Sequence, residues 1–368
     1  MFGHHERRLA VPRHPHAQGW LLHQRGGEEG PRKISKEVTV LVLGLMGSPR
    51  REGNTDLLLS AFLEGAQEEG VRVLKIYVAE KRITPCQGCR FCEKNGFCRI
   101  EDDDMDEIYH LLRRADLVAV ATPIFFYGPT AQLKALIDRS QALWARRYIL
   151  KLQDPKSKVR KGFLLAVGAT RGKELFTGTS VTARYFLNAI GASFEGVSGF
   201  RQIESLGDIS HHPSALSEAK RRGKGLVEML SKRKRVLFLC RENAYRSQIA
   251  EAFLQFYAGE SFDVQSAGDQ PVREINPFAI EVMAKKGIDL AFRRPKGLGE
   301  IESKGRPFDL IVLMGCETSC PAIPAARVEN WELEDPAGKS IEFIYKTTDA
   351  IEKMVKELIQ QEGLKEVH

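Results

Sequence analysis

The chain alternates continuously apolar segments with segments of helical periodicity, and it does so in two separate series. The first series begins with VTVLVLGLMG at residues 38–47 and ends with an amphipathic segment at residues 215–230. The second begins with KRVLFLC at residues 234–240 and ends with a helical segment near residues 348–361. Strands that are apolar on both faces and alternate with helices form parallel sheets that helices cover on both sides. The sequence therefore predicts an α/β fold with two doubly wound parallel-sheet domains.

The length of the chain agrees with two domains. Its 368 residues exceed one ordinary domain, for which roughly 150 residues is typical. We place the domains at residues 37–232 and 234–363. The preceding residues 1–36 are basic and lack the apolar core of a signal peptide, so we expect them to form a disordered extension.

Charge and cysteine content narrow the partners and the compartment. The net charge of +7 is concentrated in residues 1–37 and 218–235, so neither domain carries a basic field and nucleic-acid binding is not expected. No run of about 20 apolar residues is present, and a membrane span is not expected either. Seven cysteines, grouped in motifs and accompanied by no export signal, indicate a reducing cytoplasm and metal or redox chemistry.

The first loop of the first domain has the composition of a phosphate site. The segment GSPRREGNT, residues 47–55, follows the first strand and precedes the first helix. A helix N-terminus at the carboxyl edge of a parallel sheet offers N–H groups to an anion. On this segment alone, an ordinary polar turn fits equally well. Two later strand ends, TPIFFYGPT at residues 122–130 and GATRG at residues 168–172, place two further loops on the same edge, as one bound nucleotide requires.

With these three loops, residues 38–230 resemble the flavodoxin-like NAD(P)H-dependent FMN reductases, whose S-x-R-x-x-G-N-T segment binds the FMN phosphate. The resemblance implies FMN and NAD(P)H as cofactors and a homo-oligomer as the assembly. The residues that it places at the FMN phosphate are Ser48, Arg50, Asn54 and Thr55. The residues that it places near the isoalloxazine ring are Pro123, Ile124, Phe125, Tyr127 and Gly128.

Four cysteines fall within fourteen residues of the first domain, in the spacing C-x2-C-x2-C-x5-C. They are Cys86, Cys89, Cys92 and Cys98. Thiolates at such short gaps can surround an iron–sulfur cluster, whereas zinc more often takes two separated C-x2-C pairs. The segment is similar to the compact motif of iron–sulfur flavoproteins, a branch of the same family. We predict a [4Fe–4S] cluster, with zinc and metal-free reduced thiols as the alternatives.

The second domain opens with VLFLCRENAYRSQIAEAF, in which an apolar strand ends on Cys240 and a short polar loop leads into a helix. Backbone N–H groups of such a loop can converge on an oxyanion, and the same field favours a thiolate over a thiol. The planar fork of Arg246 suits two oxygens of a tetrahedral oxyanion. We expect Ser247 to bond to the sulfur and Asn243 to hold the loop. Asp335, in the later segment WELEDPAG, is the candidate proton donor.

The cysteine loop and the late Asp-Pro pair resemble the low-molecular-weight protein tyrosine phosphatase fold over residues 234–363. The resemblance implies Cys240 as nucleophile, Arg246 as oxyanion clamp and Asp335 as general acid. Ala337 and Gly338 follow the Asp-Pro pair, where the phosphatases usually carry a tyrosine pair.

Two further thiols, Cys316 and Cys320 in MGCETSCP, follow a strand whose end shares the sheet edge of Cys240. Phosphate hydrolysis has no use for them, and the pattern resembles the arsenate reductases of this fold. That resemblance implies a thiol cascade that converts arsenate to arsenite and is completed by Cys316 and Cys320. A non-catalytic pair of core cysteines is the alternative.

We therefore predict a bifunctional redox enzyme in which an NAD(P)H-dependent FMN reductase is fused to an arsenate reductase. The expected ligands of the second domain are arsenate or a phosphate-like oxyanion, and the expected external reductants are thioredoxin or a low-molecular-weight thiol. The fusion also suggests that electrons pass from FMN, through the cluster, to the Cys316–Cys320 disulfide. The alternatives are a flavin reductase fused to a true phosphatase, and a non-catalytic redox sensor.

Overall fold

The computed structural model describes residues 38–301, 307–315 and 323–364 of the chain. The predicted extension at residues 1–36 lies outside these ranges. In the part described, no helix combines the length and the apolar composition that crossing a bilayer requires.

The first domain is built on a parallel sheet of five strands in the order β2-β1-β3-β4-β5. The strands are β1 (Val38–Met46), β2 (Val71–Tyr77), β3 (Leu117–Pro123), β4 (Lys161–Gly168) and β5 (Ser193–Arg201). The helices are α1 (Asn54–Gln67), α2 (Phe91–Asn95), α3 (Met105–Arg114), α4 (Ala131–Arg139), α5 (Gln141–Tyr148), α6 (Thr177–Ala189), α7 (Asp208–His211) and α8 (Ala215–Leu230). Helices cover both faces because side chains from each face of β1, β3 and β4 are buried.

Two glycines allow two helices of this domain to pack closely. Helices α1 and α8 pack side by side on the same face of the sheet. A Cβ atom at Gly65 would overlap the backbone carbonyl of Lys220, and one at Gly223 would overlap that of Phe62. The two helix backbones therefore touch, and only glycine permits this approach at either position.

The second domain has a parallel sheet of four described strands in the order β7-β6-β8-β9. The strands are β6 (Lys234–Cys240), β7 (Phe262–Gly268), β8 (Phe308–Leu313) and β9 (Ala325–Asn330), and the helices are α9 (Arg246–Ala258), α10 (Pro277–Lys285) and α11 (Ile341–Gln361). Helix α9 packs against α11 and β7, and its apolar side chains join the larger core of the domain. The predicted fold class, two doubly wound parallel-sheet domains, is confirmed.

Several elements differ from the sequence prediction. The sequence of residues 131–145 has the pattern of one helix, but the structure has two helices there, because the chain turns at Ser140, which ends α4 and begins α5. The last helix starts earlier than expected, at Ile341, where Ser340 accepts a hydrogen bond from the backbone N–H of Phe343 (3.3 Å). The sequence prediction omitted α6, β5 and β9.

The two domains are in direct contact. Gln153 of the first domain forms a parallel β-bridge with Ile288 of the second. The carboxylate of Asp289 in the second domain accepts hydrogen bonds from Arg113 and Arg146 of the first, and its side chain is fully buried. No sequence pattern predicts this contact, because a β-bridge between backbones and an ion pair between distant segments depend on how the two domains pack.

Candidate functional site

The predicted phosphate loop joins the end of β1 to the start of α1. The Ser48 hydroxyl accepts a hydrogen bond from the backbone N–H of Arg50 (3.1 Å), and no side chain caps the first turn of α1. The first-turn N–H groups are therefore available to an anion. The Asn54 side chain has a different contact, since it donates to the carbonyl of Ser205 (2.7 Å) and accepts from the N–H of Ile209 (3.2 Å). Asn54 thus shapes the loop in this structure.

The aromatic loop after β3 lies beside the phosphate loop. The Thr130 hydroxyl donates to the carbonyl of Gly47 (2.6 Å), which ties the two loops together. Phe125 and Gly128 exchange two backbone hydrogen bonds of 3.0 Å, and the tight turn between them places Phe126 and Tyr127 at positive φ angles of 49° and 61°.

The exposed aromatic rings of this loop offer a surface for a flat ring. Phe126 is fully exposed, and Phe125 and Tyr127 are about half exposed. The loop after β4 is close by, since a Cβ atom at Gly172 would lie 2.7 Å from the Tyr127 hydroxyl. The three predicted strand-end loops are therefore neighbours.

The four clustered cysteines line one cavity of about 650 Å³, together with Trp144 and Tyr185. Cys86 and Cys89 are exposed, whereas Cys92 and Cys98 are partly buried. Burial raises the pKa of the Cys92 thiol to about 11, with a further contribution from Cys98. A bound cation or cluster would favour the thiolate form of Cys92.

A single metal ion and an iron–sulfur cluster require different arrangements of the four thiols. Among the residues that the structure describes, no three His, Cys, Asp or Glu side chains stand in an arrangement for a single metal ion. A cubane spreads its iron atoms and therefore takes thiolates from around a larger space. Four thiols around one cavity match that requirement in number and kind.

A buried arginine holds both ends of the cysteine loop. Arg139, at the end of α4, donates to the carbonyl of Thr84 (2.8 Å) before the first cysteine and to that of Ile100 (2.9 Å) after the last. It also pairs with the Asp103 carboxylate, and both side chains of this pair are fully buried. The loop is therefore anchored to the sheet through one side chain.

The Cys240 loop has the local structure that an oxyanion site requires. Cys240 ends β6, is 2% exposed, and has its Sγ atom 2.9 Å from the Ser247 hydroxyl. Asn243 has a positive φ angle of 52°, and its side-chain amide donates to the hydroxyls of Ser247 and Ser266 (both 2.8 Å). Ser247 and Asn243 therefore make the hydrogen bonds within the loop that the sequence predicts, and their part in oxyanion binding stays a prediction.

Arg246 and Asp335 meet at the mouth of this loop. The guanidinium donates to the Asp335 carboxylate (3.1 Å) and to the carbonyl of Leu333 (3.2 Å). The side chain of Arg246 is 7% exposed and that of Asp335 is 53% exposed. A second carboxylate oxygen of Asp335 accepts from the N–H of Ala337 (3.0 Å), which closes a turn around Pro336. The structure thus brings the predicted clamp and the predicted acid together.

Cys316 and Cys320 lie outside the described residues. The chain that leads to them is described up to Gly315. The backbone N–H of Met314 donates to the carbonyl of Leu239 (2.8 Å), next to Cys240, and a Cβ atom at Gly315 would lie 2.5 Å from the Arg246 guanidinium. Gly315, which directly precedes Cys316, is therefore in contact with the Arg246 guanidinium.

Both halves of the chain are similar to known proteins. A family described as NADPH-dependent FMN reductase matches residues 40–174, and one described as low molecular weight phosphotyrosine protein phosphatase matches residues 235–367. An iron–sulfur flavoprotein of Archaeoglobus fulgidus is 34% identical over 200 residues, which cover 52% of this chain and 98% of that protein. Arsenate reductase 2 of Staphylococcus saprophyticus is 35% identical over 129 residues, which cover 34% of this chain and 95% of that protein.

This chain belongs to the iron–sulfur flavoprotein and arsenate reductase families. The flavoprotein domain also resembles an iron–sulfur flavoprotein of Methanocaldococcus jannaschii, with 42% identity over 130 residues, or 35% of this chain. The match spans 63% of the length of that relative.

The arsenate reductase-like domain contains a polar network that the sequence did not reveal. Glu251 of α9 is buried and accepts from the Ser266 hydroxyl, within 3.6 Å of the Lys296 ammonium and 3.7 Å of Arg293. Burial by itself raises the pKa of Glu251, but Lys296 and Arg293 outweigh it, so that the pKa is lowered. The network reaches Cys240 through Ser266, Asn243 and Ser247. A glutamate within an apolar helix was the one sequence signal for it.

Proposed function

We propose that this chain is a bifunctional redox enzyme that couples an NAD(P)H-dependent FMN reductase with a [4Fe–4S] cluster to a thiol-cascade arsenate reductase. The observation that carries the proposal is at the Cys240 loop. A buried cysteine, an arginine and an accessible carboxylate converge there, and the strand that leads to Cys316 ends beside them.

The first step belongs to Cys240, Arg246 and Asp335. The Cys240 thiolate attacks the arsenic atom of arsenate, so that a sulfur–arsenic bond forms and one arsenic–oxygen bond breaks. Asp335 protonates the departing oxygen, which leaves as water. Arg246, which bonds to Asp335 in this structure, exchanges that contact for two arsenate oxygens. Ser247 bonds to the sulfur and favours the thiolate.

The reduction is assigned to the two thiols after β8. The Cys316 thiolate attacks Cys240, so that a disulfide forms and the sulfur–arsenic bond breaks with its electron pair left on arsenic, which gives arsenite. Cys320 then attacks Cys316 and releases Cys240 as a thiolate. Two thiols are oxidised for each arsenate. The contact of Gly315 with Arg246 supports this assignment. Gly315 directly precedes Cys316, so the segment that carries both cysteines begins beside the site.

The flavoprotein domain is proposed to supply the electrons. When bound, FMN would accept a hydride from NAD(P)H, and a [4Fe–4S] cluster would carry single electrons. Ser48, Arg50 and Thr55 with the first-turn N–H groups of α1 would hold the phosphate, and Phe125 and Tyr127 would flank the ring. The four cysteines would hold the cluster. We include transfer to the Cys316–Cys320 disulfide in the proposal because both domains share one chain and are in contact.

A phosphatase is the second candidate, since the oxyanion loop, the arginine and the acid are the parts that phosphoester hydrolysis requires. Two features disfavour phosphotyrosine as its substrate. Asp335 is half exposed, and Ala337 and Gly338 provide no aromatic wall beside it.

The deciding experiment measures anaerobic NADPH oxidation by the FMN- and iron-reconstituted full-length protein, with and without arsenate, and without added thiol. We expect arsenate-dependent oxidation that is lost in Cys240→Ser and in Cys320→Ser. Oxidation that persists in Cys320→Ser would refute the internal route to the disulfide.

Two further outcomes separate the candidates. Turnover that appears only with thioredoxin or a small thiol would leave an arsenate reductase without an internal electron supply. Rapid hydrolysis of p-nitrophenyl phosphate that Cys316→Ser leaves unchanged, with no arsenate turnover under either condition, would establish the phosphatase.

A further inference from the structure

One segment of the arsenate reductase domain contacts both candidate sites. Residues 287–297, called the docking segment below, follow α10. The first half packs on the flavoprotein domain, and the second half packs on the Cys240 loop.

The first half is held by a buried ion pair and a short β-bridge. The N–H of Gln153 donates to the carbonyl of Gly287 (2.8 Å), and the N–H of Asp289 donates to the carbonyl of Gln153 (2.9 Å). The Asp289 carboxylate accepts from Arg113 (2.6 Å) and Arg146 (2.8 Å). Burial opposes ionisation of Asp289, but Arg146 and Arg113 outweigh it and lower its pKa. The contact is therefore an ionised, fully desolvated pair.

Phe292 fixes the middle of the segment in a strained conformation. Its φ angle is +63°, which is unfavourable for a bulky side chain. Its ring packs against Phe97 (5.2 Å between centroids) and Tyr109 (4.9 Å), and its carbonyl contacts the ring of His110. Such a conformation persists only where the surroundings determine it. All three of these surrounding residues belong to the flavoprotein domain.

Arg146 joins this contact to the cysteine loop. Besides Asp289, it donates to the carbonyl of Gly96 (3.3 Å), and its guanidinium lies 4.8 Å from the centroid of the Phe97 ring and 5.9 Å from that of Phe292. Gly96 and Phe97 directly precede Cys98. A Cβ atom at Gly96 would overlap the Arg146 guanidinium, so the loop and the arginine fit closely.

The second half of the segment supports the Cys240 loop. The backbone N–H of Lys296 donates to the side-chain oxygen of Asn243 (2.8 Å). The backbone carbonyl of Lys296 accepts from the N–H of Gly268 (2.9 Å). The Gln248 side chain bridges Asn243 (2.9 Å) and the carbonyl of Arg294 (3.2 Å). Asn243 in turn bonds to Ser247, the partner of the Cys240 sulfur.

We propose that Arg146 of the flavoprotein domain is a positioning residue for the Cys240 loop, acting through the docking segment, so that the conformation of residues 96–98 sets the oxyanion affinity at Cys240. The proposal rests on the oxyanion site proposed above. Because coupling between two sites is reciprocal, an oxyanion at Cys240 also stabilises residues 96–98.

The test uses the full-length protein and inorganic phosphate as the probe. Mass spectrometry of the peptide that contains Cys240 follows the rate at which iodoacetamide alkylates this cysteine. The measured quantity is the phosphate concentration that halves that rate. We expect Arg146→Gln to raise this concentration about three- to tenfold, as is typical of substitutions that modulate coupling. Arg146→Lys should recover part of the loss. The matched control is Arg147→Gln on the same helix, because Arg147 bonds to Asn188 within its own domain (2.7 Å) and should give the wild-type value.

A second variant and a second readout guard against a merely structural effect. Phe292→Gly removes the ring and relieves the positive φ angle, and it should weaken phosphate binding in the same direction. In amide hydrogen exchange, phosphate should slow exchange at residues 95–99 in the wild type and in Arg147→Gln, but not in Arg146→Gln.

The outcomes separate this proposal from the proposed function. If wild-type Cys240 is protected by phosphate but Arg146→Gln and Phe292→Gly both keep the wild-type value, the coupling is refuted and the oxyanion site stands. If phosphate gives no protection in the wild type, the oxyanion site fails, and the coupling fails with it.

Discussion

Replacing Arg139 by methionine should detach the cysteine loop from the flavoprotein domain. Methionine fills much of the same space but cannot donate to the carbonyls of Thr84 and Ile100 or to the Asp103 carboxylate. The loop would then lose its anchors on both sides of the four cysteines, and a carboxylate would stay buried without its cation.

The expected loss of folding free energy follows from the buried Asp103 carboxylate, which no longer has a cationic partner. Breaking a buried ion pair by removing one partner costs about 3–5 kcal/mol. Asp103 keeps two backbone donors, the N–H groups of Thr84 and Met105 (3.0 and 3.1 Å), which lessen the penalty. We therefore expect the free energy of unfolding of the flavoprotein domain to fall by about 3 kcal/mol, the lower end of that range.

Urea denaturation at pH 7 measures this loss, and iron content and bound flavin of the purified variant report on the two cofactor sites. Iron binding should fall strongly, whereas flavin binding should persist because the three nucleotide loops lie elsewhere. The control is Lys161→Met, which breaks the more exposed pair with Glu195 (3.0 Å) and should cost at most about 1 kcal/mol. A loss below that of the control, or loss of flavin with iron retained, would refute the reasoning.

Three other changes have defined outcomes. Asp335→Asn should lower arsenate-dependent turnover by about 10²- to 10⁴-fold in a steady-state assay, as expected for a general acid, while Glu334→Gln beside it should stay near wild type. The folded-state pKa of Asp289 is lowered, so the stabilisation that its carboxylate provides is present at neutral pH and is lost as the pH falls below about 4. In urea denaturation, the free energy of unfolding of Asp289→Asn should therefore fall less between pH 6 and pH 3.5 than that of the wild type. Gly223→Ala should destabilise the flavoprotein domain by about 1–3 kcal/mol in thermal and urea unfolding, whereas Gly225→Ala, which points into open space on the same helix, should be neutral or stabilising. Equal effects of the two alanines would contradict the close contact of α1 and α8.

The elements that the sequence predicted well are those whose pattern is local. Continuous apolar runs identified β1 and β6, and a strong apolar stripe identified α8 with its bounds. The sequence pattern does not predict strand β9, because it is a mostly exposed edge strand with the polar sequence AARVEN. Helix α6 mixes threonine, glycine and aromatic residues, which weakens its helical pattern.

Within the candidate sites, motif spacing predicted the residues of each loop but not their neighbours. The loop of Cys240, Asn243 and Ser247 is contiguous, so its hydrogen bonds could be anticipated. The support from Lys296 and Glu251 could not, because it arises from chain segments that only the folded sheet brings together.

The short junction between the domains shifts the equilibrium between their docked and separated states. Helix α8 ends at Leu230 and β6 begins at Lys234, and the chain between them can span at most about 14 Å. Such a tether keeps the two surfaces at an effective concentration in the millimolar range or above. A contact too weak to hold two separate proteins together would thus be occupied most of the time within one chain. Fusion therefore keeps the two domains in contact without requiring an affinity that could join them as separate proteins.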